Sequence, residues 1–144
     1  MKKRQVVITG AGACGLMAAI MAARNGAAVT VLEQNEKPGK KICATGNGRC
    51  NFSNLARPDD AYRGEHPEFV EDALREFSVE DTIEFFKEIG IYPLNRNGYL
   101  YPRSNQAQSV VDVLCMEAAS LGVKIKTNEQ VTEIKNGTNG KNFQ

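Results

Sequence analysis

The sequence lacks the features that mark membrane and secreted proteins. No apolar stretch is long enough to span a membrane, since the longest candidate, from Leu16 to Ala23, is short and rich in alanine. The basic start, Lys2 to Arg4, leads into a brief strand-like run and has neither the apolar core nor the cleavage site of a secretory signal. We therefore expect a cytoplasmic protein.

The charge balance and the cysteine spacing argue against further classes. The formal net charge is +1, so nothing favours nucleic acid or an anionic membrane as a partner, and a small-molecule substrate is expected instead. The four cysteines form no CxxC pair, which argues against a thioredoxin-type redox motif or a zinc knuckle, and we expect no metal site. We expect four reduced thiols, with Cys14 and Cys115 as packing residues.

The stretch VVITGAGACG contains the spacing G-x-G-x-x-G at Gly10, Gly12 and Gly15. It follows a predicted strand, Gln5 to Thr9, and opens a predicted helix from about Ala13 to Asn25, which is the context that makes the motif meaningful. Gly10 permits a sharp turn, Gly12 lets a pyrophosphate approach the backbone, and Gly15 lets helix and strand pack closely. The N–H groups at the start of the helix favour phosphates.

A second predicted strand, Ala28 to Leu32, ends at Glu33, 18 residues after Gly15. Strand, glycine turn, helix and strand within about 30 residues form a βαβ unit with parallel strands. Both strands are largely apolar, as expected when both faces of a sheet are covered. A carboxylate after the second strand accepts hydrogen bonds from a ribose diol and repels a 2′-phosphate, so a dinucleotide other than NADP is predicted. The motif alone leaves NAD and FAD open.

Patterns in the remaining chain predict an α/β fold with a helical and hairpin insert at about 65–103. Residues 34–64 have no periodicity and predict an ordered, ligand-bound loop. The insert has helices at Pro67–Phe77 and Val79–Glu88, the second capped by Ser78, and a hairpin at Ile91–Pro102 around an Asn-Gly turn. A helix from Ser104 or Asn105 and a third parallel strand follow. This third strand is predicted at Val123–Thr127, and it is followed by a predicted strand at Glu129–Lys135 and a polar turn at Asn136–Lys141.

The stretch after Glu33, EQNEKPGKKICATGNGRCNFSN, resembles the YhiN/BaiN-like NAD(P)/FAD-dependent oxidoreductases, also labelled aminoacetone oxidase-family FAD-binding enzymes. Their pattern is roughly E-x-x-x-x-x-G-[KR]-K followed by [ST]-G-x-G-R-C-N. The matching residues are Gly39, Lys40, Lys41, Thr45, Gly46, Gly48, Arg49, Cys50 and Asn51. A later segment, LYPRSNQAQSVVDVL, is also similar, through Pro102, Ser104, Ala107 and Val110, with Tyr101 where the family more often has Phe.

The resemblance implies FAD as cofactor, with the long loop running towards the flavin. Arg49 is expected to contact either the flavin near N1 and O2 or the pyrophosphate, and Cys50 to be a packed thiol near the ring rather than a redox partner. Val131 matches a position where such proteins bring a strand near the adenine. No catalytic residue is assigned. The predicted cofactor-binding residues are Gly10, Ala11, Gly12, Ala13, Cys14, Gly15, Glu33, Gln34, Gly39, Lys40, Lys41, Gly46, Gly48, Arg49, Cys50, Asn51 and Val131.

The resemblance also implies that the chain is one part of a longer protein. Residues 1–144 are expected to form the N-terminal part of a single FAD/NAD(P)-binding Rossmann-like domain, with the rest of that domain and a substrate domain absent. The parallel sheet is expected to have the strand order 3-2-1 and an unpartnered edge, which a missing C-terminal segment or a homo-oligomer would cover. The isolated chain is expected to bind FAD weakly and not to turn over.

The predicted activity of the full-length protein is flavin-dependent oxidoreduction. Hydride would pass from NAD(P)H through FAD to an organic acceptor or to oxygen. The resemblance implies an unsaturated ketone, as in an ene reduction, or an amine as the substrate. Two alternatives stay open: an NAD-dependent dehydrogenase, and a non-catalytic nucleotide-binding remnant.

Overall fold

Short helices and strands alternate along the chain in the computed structural model, which describes residues 3–56 and 61–135. A 3-10 turn at Thr45–Gly48 lies between α2 and β3. In chain order the elements are β1 (Gln5–Thr9), α1 (Ala13–Arg24), β2 (Ala28–Leu32), α2 (Lys40–Ala44), β3 (Ser53–Asn54), α3 (Phe69–Glu76), α4 (Val79–Glu88), β4 (Pro93–Arg96), β5 (Tyr99–Pro102), α5 (Ala107–Ser120) and β6 (Lys124–Lys126). The α/β class predicted from the sequence is confirmed.

The described residues fall into two compact units. The first draws on the ranges Met1–Lys40 and Cys115–Gln144, and the second on Lys41–Leu114. Helix α5 begins in the second unit and ends in the first. The assignment of residues 1–144 to one domain therefore stays a prediction.

A parallel sheet in the order β1-β2-β6 forms the centre of the first unit. This confirms the predicted strand order, with β2 in the middle. Val31 of β2 is fully buried, as are Leu16 and Ile20 of α1, which packs against β1 and β2. Burying each of these large side chains contributes about 1.5–3 kcal/mol relative to exposure. The apolar side of α1 thus fixes the helix, and the glycine turn before it, against the sheet.

Strand β1 departs from the expectation that both faces of the sheet are covered. Val7, in the middle of the strand, is 64% exposed, and Gln5 and Thr9 on the same face are exposed too. In strand β2 one face, with Val29 and Val31, is buried, and the other, with Ala28, Thr30 and Leu32, is half-buried. Among the described residues nothing covers this face of β1, so the expectation was wrong for that strand.

The second unit contains the predicted helical and hairpin insert. Ser78 and Asp81 form a reciprocal capping box at the start of α4, with the Asp81 N–H 3.0 Å from the Ser78 hydroxyl and the Ser78 N–H 2.8 Å from the Asp81 carboxylate. Strands β4 and β5 are joined by Asn97 and Gly98, whose φ angles are +54° and +92°. Positive φ at both positions is the geometry that favours Asn-Gly in a tight hairpin.

The region 34–64 is more structured than its aperiodic sequence suggested. It contains α2, the 3-10 turn and β3, which pairs with β5 through Ser53 and Leu100. A two-residue strand and a five-residue helix are too short to produce a hydrophobic period, so sequence patterns could not reveal them. Residues 57–60, part of the same predicted loop, lie outside the described residues.

The strand predicted at Glu129–Lys135 was wrong. Within the described part of the chain no strand follows β6. The Glu129 N–H donates to the Glu33 carbonyl at 2.9 Å, and Val131 is 37% exposed and outside any strand. Apolar and β-branched residues favoured a strand, but no described strand pairs with this segment. The polar turn at 136–141 lies outside the described residues.

We predict that Gly15→Ala destabilises the protein, because a Cβ at Gly15 would overlap the carbonyl oxygen of Gly10. Overpacking of this kind costs about 1–3 kcal/mol. Gly12→Ala is the matched control, since a Cβ at Gly12 would meet nothing within 4 Å, and it should change stability by less than about 0.5 kcal/mol. Denaturant unfolding measures both variants, and equal stabilities would contradict the close packing of α1 against the turn.

Candidate dinucleotide-binding site

The glycine turn between β1 and α1 has space where a ligand would approach. Gly12 precedes α1 with φ −82°, and the space around its missing side chain is open. Gly10 has φ +88°, which glycine adopts without the penalty that a side chain would bring. No side chain caps the N-terminus of α1, and its first turn has no acidic residue. The first N–H groups of this twelve-residue helix therefore remain suited to an anion.

Glu33, the residue after β2, turns its carboxylate back towards the glycine turn. Its side chain is buried, with 6% of the residue exposed. Oε2 accepts a hydrogen bond from the Ala11 N–H at 2.6 Å. Oε1 accepts from the backbone N–H of Asn35 at 2.8 Å and from its side-chain Nδ2 at 2.6 Å. Three donors thus compensate the burial of this charge.

These donors keep Glu33 ionised. The backbone N–H of Asn35 lowers the pKa of the Glu33 carboxyl below its ordinary value of 4.5; burial opposes this shift, while the Ala11 N–H, the Asn35 side chain and the charge of Lys40 add to it. A carboxylate offers about four lone-pair positions. Three are used, so Oε2 retains one for a ligand hydroxyl.

A second tie joins the loop after β2 to the glycine turn. The Gly39 N–H donates to the Ala11 carbonyl at 2.8 Å, and Gly39 is buried with φ +73°. The Lys40 ammonium lies 3.4 Å from the Asn35 side-chain oxygen. Gln34 and Lys41 are exposed. The first unit therefore brings Ala11, Glu33 and Gly39 together and leaves Gln34 facing solvent.

The TGNGRCN segment of the second unit has an unusually left-handed backbone. Gly46, Asn47, Gly48 and Cys50 have φ angles of +55°, +56°, +79° and +58°. A Cβ at Gly46 would lie 2.7 Å from the backbone nitrogen of Asn51, whereas one at Gly48 would meet nothing within 4 Å. Packing inside this unit therefore accounts for Gly46, and Gly48 is the glycine with room beside it.

Asn51 and Arg49, the two polar side chains of this segment predicted to hold the cofactor, differ in how many hydrogen-bond donors remain for a ligand. The Asn51 amide nitrogen donates to the carbonyls of Ser53 in β3 and Leu100 in β5, each at 3.0 Å. Arg49 donates through Nε to the Gly46 carbonyl at 3.2 Å, and its guanidinium carbon lies 5.4 Å from the centre of the Tyr101 ring. Five N–H donors make Arg49 the better equipped of the two for a ligand.

The cysteines differ in burial, and Cys50 is the buried one. Cys50 is buried, and burial raises the pKa of its thiol, partly offset by a hydrogen bond with the Thr45 side chain. A protonated, packed thiol fits the structural role expected for Cys50. Cys14 is exposed, so its assignment as a packing residue was wrong: it lies on the outer side of the first turn of α1. Cys115 is half-buried on α5.

Comparison with known proteins places the chain in a family. The HI0933-like protein Rossmann domain matches residues 4–144. The chain belongs to this family. The resemblance predicted from the GNGRCN stretch is thereby confirmed.

No helix in the described ranges is long and apolar enough to cross a membrane.

Curated relatives share sequence over nearly the whole chain. The 3-dehydro-bile acid delta(4,6)-reductase of Clostridium scindens is 47% identical over 138 residues, which cover 94% of this chain and 34% of that protein. The ribosomal RNA dihydrouridine synthase of Escherichia coli is 32% identical over 141 residues, covering 97% of this chain and 35% of that protein. The chain thus spans about a third of the length of these relatives.

Solved structures share the fold at low identity. The 3-ketosteroid-delta4-(5alpha)-dehydrogenase of Rhodococcus jostii RHA1 matches with a TM-score of 0.69 and 18% identity, over 97% of this chain and 41% of that one. A flavocytochrome c3 fumarate reductase matches with a TM-score of 0.65 and 18% identity, over 94% of this chain and 28% of that one. These likenesses support the Rossmann-type architecture.

We predict that Glu33→Gln destabilises the protein in a pH-dependent way. A neutral amide cannot accept from all three N–H donors around Glu33, and the loss of such charged hydrogen bonds costs about 1–3 kcal/mol. Because folding lowers the pKa of Glu33, its contribution is complete above the ordinary value of 4.5 and is lost as the pH falls through the lower folded value.

Unfolding free energies of the wild type and the variant, measured from neutral to acid pH, test this prediction. The difference between them should shrink in acid. Glu36→Gln, at an exposed position in the same loop, should match the wild type throughout. A Glu33→Gln deficit that is absent at neutral pH, or unchanged in acid, would contradict the account.

Proposed function

We propose that this chain is the FAD-binding part of a flavin-dependent oxidoreductase. The observation that carries the proposal is the hydrogen bond of 2.6 Å between the Ala11 N–H and the buried Glu33 carboxylate. It sets an ionised acceptor for ribose hydroxyls beside the open turn at Gly12. The residues present therefore fit the adenosine diphosphate half of a dinucleotide.

In this proposal each part of the first unit holds a different part of the cofactor. The N–H groups of Ala13, Cys14 and Gly15, at the start of α1, bind the pyrophosphate. Gly12 lets it approach, and Glu33 accepts from the ribose through the free position on Oε2. Bound FAD would supply the ring that accepts and passes on a hydride.

Within the second unit, two residues of the GNGRCN stretch remain suited to a ligand. Gly48 has open space beside its backbone, and Arg49 has N–H groups beyond the one that binds Gly46. Contact of the Arg49 charge with the N1 and O2 side of the flavin would stabilise the anionic reduced form. Contact with the pyrophosphate is the other role that its chemistry suits.

For the whole protein we propose ene reduction, with NAD(P)H as the donor of the hydride. One relative is named as a reductase of a 3-dehydro-bile acid and the others as dihydrouridine synthases, and a reduction is common to both names. The higher identity, 47%, is to the enzyme named for a bile acid. A small unsaturated ketone is therefore the proposed substrate class, and oxygen is the alternative acceptor.

Reduction of uridine in ribosomal RNA is a second candidate. It is favoured by relatives of that name at 32% and 35% identity, and it would correct the expectation that nucleic acid is not a partner. The net charge of +1 over this chain offers little attraction to a phosphate backbone. Salt-dependent binding of ribosomal RNA by the full-length protein would favour this candidate over the ketone.

We predict that the purified chain binds FAD and that Gly12→Val weakens binding by more than about tenfold, or 1.4 kcal/mol. The valine side chain would occupy the space through which the pyrophosphate approaches. Quenching of flavin fluorescence during titration measures the affinity. Gly64→Val, at a second glycine with open surroundings, should bind FAD like the wild type.

A comparison of thermal stability with NAD and with FAD separates the alternatives. Thermal stabilisation by NAD and not by FAD would favour the dehydrogenase, and binding of a dinucleotide by the full-length protein without any oxidation of NAD(P)H would favour the non-catalytic nucleotide-binding remnant. Equal FAD affinity of wild type and Gly12→Val would contradict the proposed placement of the pyrophosphate.

A further inference from the structure

Asn35, which the sequence motifs did not single out, makes two hydrogen bonds to one oxygen of Glu33. Its backbone N–H and its Nδ2 lie 2.8 and 2.6 Å from Oε1. Two donors fill the two lone pairs of that oxygen. The carboxylate is thereby held with Oε2 towards the Ala11 N–H, and the acceptor position left over is on Oε2.

The orientation of Asn35 is itself fixed from two sides. The Lys40 ammonium lies 3.4 Å from its side-chain oxygen, which turns the Nδ2 donors towards Glu33. Its carbonyl accepts from the Asn128 N–H at 3.1 Å, in the turn after β6. The neighbouring Glu129 N–H donates to the Glu33 carbonyl at 2.9 Å. The chain from Glu33 to Asn35 is thus tied to the turn that follows β6.

We propose that Asn35 is a positioning residue for the cofactor: it fixes the Glu33 carboxylate so that Oε2 faces the ribose hydroxyls. This role rests on the proposed function. Asn35 acts through Glu33 and is not itself placed against the ligand. It adds to the site a residue that neither the glycine motif nor the GNGRCN stretch contains.

The charged groups around Glu33 allow the role to be tested by pH. Lys40 is the charged side chain that acts on it, and the side chain of Glu129, which contacts Glu33 through its backbone, is exposed. Removing the Nδ2 donor makes ionisation of Glu33 less favourable, so protonation should then begin at higher pH. The acid limit of ligand binding is the pH below which the affinity for the ligand falls. A residue that only stabilised the turn would not move this limit.

The experiment measures FAD affinity of the purified chain by flavin fluorescence from neutral to acid pH. Asn35→Ala should bind about tenfold more weakly at neutral pH, as expected for the loss of a hydrogen bond to a charged group. Its affinity should also fall at a higher pH than that of the wild type. Asn35→Asp, which places a like charge beside Glu33, should move this limit further in the same direction.

Glu36→Ala is the control in the same loop, because its exposed side chain makes no contact that the role requires. It should keep both the affinity and the acid limit of the wild type. Wild-type affinity and acid limit in Asn35→Ala would overturn the role. Weaker binding with an unshifted acid limit would overturn it as well, since that result identifies a purely structural residue.

A readout without FAD separates this inference from the proposed function. Titration of the Glu33 carboxyl by NMR in the ligand-free chain should give a higher pKa in Asn35→Ala than in the wild type. If the wild type bound no FAD, the proposed function and the cofactor role of Asn35 would both be overturned, whatever the NMR titration showed. If the wild type bound FAD and the pKa of Glu33 were the same in both chains, the role of Asn35 alone would be overturned.

Discussion

The hydrogen bond between the Ala11 N–H and the Glu33 carboxylate joins the end of β2 to the turn that opens α1. A buried charge is tolerated only when hydrogen bonds replace its water, so Glu33, its two donors from Asn35 and the glycine turn depend on one another. The bond from Gly39 to the Ala11 carbonyl fixes the same turn from the following loop. The geometry that suits a ribose and a pyrophosphate therefore exists in the protein without a ligand, which is the preorganisation that favours binding.

Two pairs of glycines in the motifs differ in what surrounds them. Protein atoms occupy the space beside Gly15 and Gly46, so a side chain would clash with Gly10 in the first case and with Asn51 in the second. Gly12 and Gly48 have open space where a side chain would be. The first pair constrains folding and the second pair leaves room for a ligand. A glycine-rich motif is thus partly a requirement of packing, and counting its glycines overstates the contacts available to a cofactor.

Much of the fold could be predicted because its signals are local. The spacing from Gly10 to Glu33 predicted β1, α1 and β2, and the Ser78 cap and the Asn97-Gly98 turn each marked an element through side chains close in sequence. Strand β3 and the absence of a strand around Val131 depend on which chain lies alongside, which no local pattern encodes. The role proposed for Asn35 could not be predicted from the sequence for another reason. An asparagine two residues after a glutamate is common, and only the structure shows its backbone N–H and its Nδ2 donating to the same carboxylate oxygen.

The most direct test of the account follows the Ala11 amide proton by NMR while the pH is lowered. A short hydrogen bond to a carboxylate should place this proton far downfield at neutral pH. We expect this proton to move upfield as Glu33 is protonated, with a midpoint below the ordinary pKa of 4.5. An Ala11 amide that does not respond to the titration of Glu33, or a Glu33 that titrates at its ordinary value, would contradict it.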